Sequence, residues 1–189
     1  MLCDAFRQYP VMAYVLGAGA AGYGNPQLHR LVDFFARNRL LRGEPMLGIH
    51  DGPRLVAVAL LSNPTVTVNT DALANLRASV WQELGDAALV RYQAYGDACR
   101  GFDVEVPRIH VNMIGVRQSH RGSGLGRRLM EEVDRLALED LQCEGITLTT
   151  ENAANVAFYE HLGFRITGNV IIADGLESWG FFRRVRPSS

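Results

Sequence analysis

The sequence predicts an α/β fold with a central mixed sheet flanked by helices, and three observations lead there. Strand-like and helical stretches alternate as helix, strand pair, helices, strand, helix, strand, helix, strand pair. A helix separates the strand at 109–116 from the next at 145–150, which is the connection a parallel crossover needs, while the earlier pair is close enough to be antiparallel. The 189 residues, 48% of them hydrophobic, are enough for one soluble domain with a substantial core.

In chain order, Asp4 to Pro10 starts a short helix, and the apolar run Val11–Leu16 leads into the glycine-rich stretch Gly17–Gly24. Those glycines are too irregular for a phosphate loop and read as a flexible connector, with a substrate-facing lid as the rival. From Gln27 to Leu41, residues Leu28, Leu31, Val32, Phe35 and Leu40 share roughly one helical face and are expected in the core. Met46–His50 and Arg54–Ser62 flank Asp51-Gly52-Pro53 and read as a hairpin, with Thr65–Asn69 a strand-like tail. Asp71–Phe102 is helical with a break near Gly85, and its Tyr92 and Tyr95 are read as core packing. Gly145–Thr150 is a strand, and residues 151–164 hold a polar loop, a short helix and its glycine stop. Phe164–Ala173 and Glu177–Val185 are two last strands around Asp174-Gly175. The final strand, with Trp179 and Phe181, is read as an exposed edge able to pair between subunits in a homodimer.

Composition narrows the function. The net charge is −1, with nineteen basic residues, all arginine, against twenty acids spread along the chain, so no nucleic-acid partner is expected. Cys3, Cys99 and Cys143 form neither a C-x-x-C pair nor a His-Cys cluster, so no metal site is expected and the thiols read as reduced. With no basic leader and no apolar segment of membrane-spanning length, a cytoplasmic location is expected.

The chain is organised around residues 108–141. The strand Ile109–Val116 runs into Arg117-Gln118-Ser119-His120-Arg121-Gly122-Ser123-Gly124-Leu125-Gly126, and a helix follows, with Leu125, Leu129, Val133 and Leu136 at helical spacing. Alternate glycines let successive backbone N–H groups converge, and the helix start adds unpaired donors, so the loop is a phosphate seat. A Walker loop is excluded, because Gly126 precedes Arg127 and the chain has no lysine. A dinucleotide fingerprint fits poorly, because Gly122, Gly124 and Gly126 are spaced by two and sit late in the chain.

The remaining pattern, Arg121-x-x-Gly124-x-Gly126, resembles the acyl-CoA pyrophosphate loop of the GNAT superfamily of N-acetyltransferases. About thirty residues later, Asn152 followed by Tyr159 and then Leu162-Gly163-Phe164 resembles the second signature of that superfamily. The layout is also similar to that of puromycin N-acetyltransferase and its relatives, with an early Ala5-Phe6-x-x-Tyr9-Pro10 and Asn155 four residues before Tyr159. The resemblance implies a GNAT-like acyl-CoA N-acyltransferase fold in one domain, with a variable acceptor-side half (1–106) and a CoA-binding half (107–189). It implies acetyl-CoA as cosubstrate, held by Ile114 and Val116 on the strand, by Arg121, Gly122, Ser123, Gly124, Leu125, Gly126 and Arg127 in the loop, and by Asn152 and Asn155.

It also places the hydroxyl of Tyr159 near the CoA sulfur as the acid for the departing thiolate, and an imidazole at His110 as a base for the amine. A hydrogen-bonded structural histidine is the bland alternative for His110, and Glu105, Glu151 or relayed water remain as other bases. Strand alternation puts His110 and Asn112 on one face and Val111 and Met113 on the other. No cysteine sits in a motif suited to carrying an acyl group, so direct transfer to a small-molecule amine in a ternary complex is expected. The rival readings are a protein N-terminal acetyltransferase, a non-catalytic acyl-CoA sensor and, more distantly, a dinucleotide oxidoreductase.

Overall fold

The computed structural model describes residues 1–17 and 25–186, with Asn25 and Asp174 in backbone only. The glycine stretch read as a connector therefore lies mostly outside the described residues. Six strands, β1 (Met46–Asp51), β2 (Arg54–Ser62), β3 (Arg108–Val116), β4 (Gly145–Thr150), β5 (Arg165–Ile171) and β6 (Glu177–Arg184), form one sheet in the order β1-β2-β3-β4-β6-β5. Only β3 and β4 pair in parallel, as the crossover required; the other pairs are antiparallel.

Local chemistry sets the element ends. Pro10 opens α2 (Pro10–Leu16) from its first turn, where a missing N–H costs nothing, and Gly17 closes it in the left-handed region. Thr70 Oγ1 accepts from the Leu73 amide to start α4 (Asp71–Leu84), and Gly85 separates it from α5 (Asp86–Cys99). Two earlier helices, α1 (Leu2–Ala5) and α3 (Asn25–Leu41), complete the layer on one face of the sheet. The other face carries α6 (Leu125–Glu139) and α7 (Val156–His161).

Each face has its own core. Phe6, Met12, Leu31, Phe34, Val80 and Trp81 pack on Val58, Leu60 and Met113, while Leu129, Met130, Val133 and Ala137 pack on Ala59, Leu61, Val111, Ile146 and Leu148. Burying an aliphatic or aromatic side chain of this size contributes roughly 1.5–3 kcal/mol, so both faces hold the sheet firmly.

Two departures from regular pairing shape the middle of the sheet. Leu60 pairs with Met113 and Leu61 with Val111, leaving Asn112 as an extra residue on β3. Alternation is broken there, so Val111 faces α6 whereas Met113 faces α3 and α4, contrary to the expectation that they share a face. In addition, the parallel pairing of β3 with β4 covers only Arg108–Val111 against Gly145–Leu148. Beyond that point the strands part, and an opening forms between them.

Other expectations also need correcting. Leu40 is 65% exposed, and Phe34 rather than Phe35 is the fully buried aromatic of α3. Residues 65–69 make no strand; Arg42 instead donates to the Val66 carbonyl at 2.8 Å and pins the segment beside α3. The last strand is not an edge: β6 lies between β4 and β5, and Phe181 is buried. The route to a homodimer through β6 is therefore closed by its pairing with β5. Among the described residues no helix is long and apolar enough to cross a membrane, and no group of three or more His, Cys, Asp or Glu is placed to hold a metal.

Candidate active site

A cavity of about 1030 Å³ lies between the sheet and the α1–α5 layer. Its walls are aromatic and aliphatic, from Phe34, Phe35, Trp81, Leu89 and Tyr92, and its floor is the parted ends of β3 and β4. Trp81 and Tyr92 stack with centroids 4.8 Å apart, so much of the wall is rigid ring surface.

Tyr159 joins the two faces of the sheet. Its ring packs against Phe164 and Phe181 in the α6–α7 core, yet the residue also lines the cavity on the far side, where β3 and β4 have separated. Burial first, then the nearby Tyr9 and Glu151, raises its pKa far above that of a free phenol, so the hydroxyl keeps its proton throughout the neutral range. Among the described residues that hydroxyl has no hydrogen-bond partner.

His110 lines the same cavity from β3, with Nδ1 3.0 Å from Thr147 Oγ1 on β4. Burial, with a further push from the Arg108 cation, lowers its pKa to about 4, so the ring is neutral at pH 7. His110, Tyr95 and Thr149 also line a second, smaller cavity of about 360 Å³, and they form the partition between the two.

Sequence reasoning missed a cluster of oxygen atoms around the end of β4. The buried Glu151 receives hydrogen bonds on Oε1 from Tyr95 at 2.7 Å and Ser178 at 2.9 Å. Burial raises its pKa, although these hydroxyl donors oppose the shift. Tyr9 stands beside it, 2.8 Å from Thr150 Oγ1, and its pKa is pushed up to about 12 by burial and by the Glu151 charge. Tyr95 is thus a hydrogen-bond donor to a carboxylate rather than plain core. The signal available in the sequence was weak: Ala5-Phe6-x-x-Tyr9-Pro10 hinted at Tyr9, but nothing linked residues 142 positions apart. Glu105, the other reserve base, is exposed and lies outside both cavities.

The loop after β3 is separate from the cavity lining. Gly122 (φ 78°) and Gly124 (φ 79°) occupy the left-handed region, and no atom lies within 4 Å of where a Cβ would stand on either. Gly124 is the N-cap of α6 and offers no side chain to its first amides, so those donors remain open to an anion. Arg117 keeps Nε buried with no partner among the described residues, and Arg127 and Arg128 make no ion pair there. An open amide ring with surplus guanidinium is what a diphosphate needs. Of the cofactor residues expected from sequence, Ile114 and Asn155 line the cavity. Val116, Arg121, Gly122, Ser123, Gly124, Leu125, Gly126, Arg127 and Asn152 lie outside its lining. Asn155 Nδ2 donates to Thr150 Oγ1 at 3.1 Å, whereas the Asn152 oxygen is occupied by the Ala154 amide.

Residues 79–166, which contain both the parted strands and the anion loop, match the family described as the Acetyltransferase (GNAT) domain. Over that stretch the chain is similar to a GNAT acetyltransferase domain. Two curated relatives agree: a blasticidin-S acetyltransferase of Streptomyces morookaense is 31% identical over 62 residues, covering 33% of this chain and 46% of the relative. A 5-NmdU N-acetyltransferase of Pseudomonas phage PaMx11 is 31% identical over 81 residues, covering 43% of this chain and 56% of the relative. The chain thus spans about half the length of the curated relatives it matches. The GNAT fold extends over the whole chain in a Corynebacterium glutamicum structure described as histone acetyltransferase HPA2 and related acetyltransferase, with TM-score 0.65 and 19% identity, covering 100% of this chain and 90% of that one. At that identity the likeness is one of fold.

Proposed function

We propose that this chain is an acetyl-CoA-dependent N-acetyltransferase acting on the amine of a small molecule, by direct attack within a ternary complex. The observation carrying this reading is that Tyr159 and His110 line one deep aromatic cavity, Tyr159 where β3 and β4 have parted and His110 on the last paired stretch before the opening. The acceptor side of the domain is then residues 1–106 and the CoA side 107–189, and the protein works in the cytoplasm.

Bound acetyl-CoA supplies an acetyl thioester whose carbon–sulfur bond breaks as the nitrogen–carbon bond forms. The loop amides at Gly122–Gly126 and the α6 N-terminus hold the diphosphate, with Arg121 and Arg127 beside them. Ile114 and Asn155 hold the arm that enters the opening. Tyr159 gives its phenolic proton to the departing sulfur, which a raised pKa favours by keeping the group protonated. His110, neutral at pH 7, takes the proton lost by the amine, and solvent returns a proton to Tyr159.

Small-molecule acceptors are supported by the enclosed shape of the cavity and by the names of the two curated relatives. Thiol release from acetyl-CoA over a panel of small amines tests the reading directly. Release with at least one amine, with no burst of acetyl-enzyme on acetyl-CoA alone, is expected. Acetyl-CoA binding without release across the panel leaves a non-catalytic acyl-CoA-binding protein instead.

A further inference from the structure

The cavity holds a buried carboxylate with no cation to balance it. Among the described residues Glu151 makes no ion pair, the side chains that favour its charge are the neutral hydroxyls of Tyr95, Ser178 and Tyr9, and the stretches outside the description contain no arginine or lysine. A carboxylate kept dry without a counter-ion awaits one from a ligand. It stands beside Tyr9 and Tyr159, at the transfer end of the cavity.

Elsewhere the same cavity is positive. Arg39 and Arg42 both contact Glu44, at 2.8 and 2.9 Å, so two guanidinium groups share one carboxylate. Arg77, on α4, lines the cavity with no hydrogen bond or ion pair among the described residues. Asp71, at the exposed start of α4, is the one acid on that side. Arg39 and Arg77 both act on Tyr92, and Arg39 also donates to Asn112 Oδ1 at 3.2 Å, whereas the main influences on Glu151 besides burial are the hydroxyls of Tyr95, Ser178 and Tyr9. The rings of Phe35, Trp81 and Tyr92, packed on one another, line the same cavity.

We infer that the acceptor is an amine joined through an aromatic or apolar body to an acidic group, the ammonium docking at Glu151 and the acid at Arg77 and the Arg39–Arg42 pair. The inference rests on the acetyltransferase reading and narrows its substrate class. A polyamine is disfavoured, because its second cation meets arginines. An α-amino acid is disfavoured too, because its carboxylate sits beside Glu151.

The test uses the full chain, acetyl-CoA and four probes: phenethylamine, 4-(2-aminoethyl)benzoate, phenylalanine and spermidine. The aminoethylbenzoate is expected to show kcat/KM at least tenfold above phenethylamine, with phenylalanine and spermidine below both. Arg77→Ala should shrink that tenfold margin to under threefold, and Arg77→Lys should restore most of it. Glu151→Gln should lower kcat/KM for both arylethylamines by a similar factor, with the acetyl-CoA-induced thermal shift retained. If Glu151→Gln fails to fold, the probe ranking and the Arg77 variants still decide. The inference is overturned by equal rates for phenethylamine and its carboxylated partner, by preference for spermidine, by a margin that survives Arg77→Ala, or by no turnover of the aminoethylbenzoate. The acetyltransferase reading fails in a different way, with neither a thermal shift on acetyl-CoA nor thiol release from any amine.

Discussion

Tyr159 and His110 line one cavity, and burial acts on them in opposite directions. It favours the protonated phenol and the deprotonated imidazole, which are the starting states required for an acid and a base. Tyr159→Phe keeps the ring packed against Phe164 and Phe181, so acetyl-CoA affinity should hold while kcat falls by roughly 10²-fold or more, the usual scale for a positioned acid. Calorimetry with acetyl-CoA and steady-state kinetics separate the two quantities. For His110, an ordinary imidazole would put the acidic limb of kcat/KM near pH 6.5; with its pKa near 4, the limb should move down to about that value. Acceptors of different basicity are needed to subtract the amine's own titration.

The same shift affects stability. The unfolded chain binds a proton at His110 below about pH 6.5, whereas the folded chain resists until about pH 4. The stabilising contribution is therefore complete above pH 6.5 and is lost as pH falls from there to 4, by an amount on the order of 3 kcal/mol. Thermal unfolding of His110→Gln across that window should show a shallower slope than the natural chain. Equal slopes would show that the imidazole is accessible to protons in the folded state.

At the scale of elements, the loop between β3 and α6 is the diphosphate seat we propose, and its glycines are not equivalent. Gly124 holds a positive φ, so any side chain there strains the backbone by about 1–2 kcal/mol before its charge matters. Gly126 has no such constraint, and its Cβ would meet Phe158 at an ordinary 3.7 Å. Gly126→Asp should therefore fold with nearly unchanged thermal stability while losing most acetyl-CoA binding, through like charge at the diphosphate position. Unaltered affinity in that folded variant would remove the loop from the cofactor site. A different constraint ties the turn after α5, Arg100–Phe102, to the sheet. Phe102 sits in a notch above Gly168 and Gly180, and a Cβ on Gly180 would lie 2.4–2.7 Å from its side chain. Gly180→Ala should cost about 1–3 kcal/mol by overpacking, and Phe102→Leu in the same chain should recover part of that loss. Denaturant midpoints of the single and double variants would measure the coupling.

For the whole molecule, the opening between β3 and β4 means that a ligand seated there replaces missing strand contacts. At a concentration one hundred times its Kd, acetyl-CoA should raise folding stability by about 2.7 kcal/mol. Amide exchange should slow most at residues 112–116 and 149–155. The order of elements, the hairpin, the crossover and the glycine turn that opens α6 were legible because each follows from local periodicity or turn chemistry. Three things were not. The burial of β6 depends on which strands insert between which, and the sequence of Glu177–Arg184 looks the same at an edge or inside. The Glu151 cluster joins Tyr9, Tyr95, Thr150 and Ser178 from four distant segments, and no spacing rule connects them. Pairing register, which neither neighbour of Asn112 signals alone, decides the third: the irregularity in β3.

That extra residue acts as a parity switch. Upstream of Asn112, even-numbered His110 is on the α1–α5 face of the sheet; downstream, odd-numbered Met113 and Gly115 are on that face. Removing one residue would put both stretches on one count, so either His110 turns into the α6 core with Val111 on the α1–α5 face, or Ile114 and Val116 exchange faces with Met113 and Gly115. Asn112→Ala keeps the count and should be tolerated. Deleting Asn112 should abolish activity and destabilise the fold by more than any single substitution in β3, as circular dichroism melts of the two variants would record.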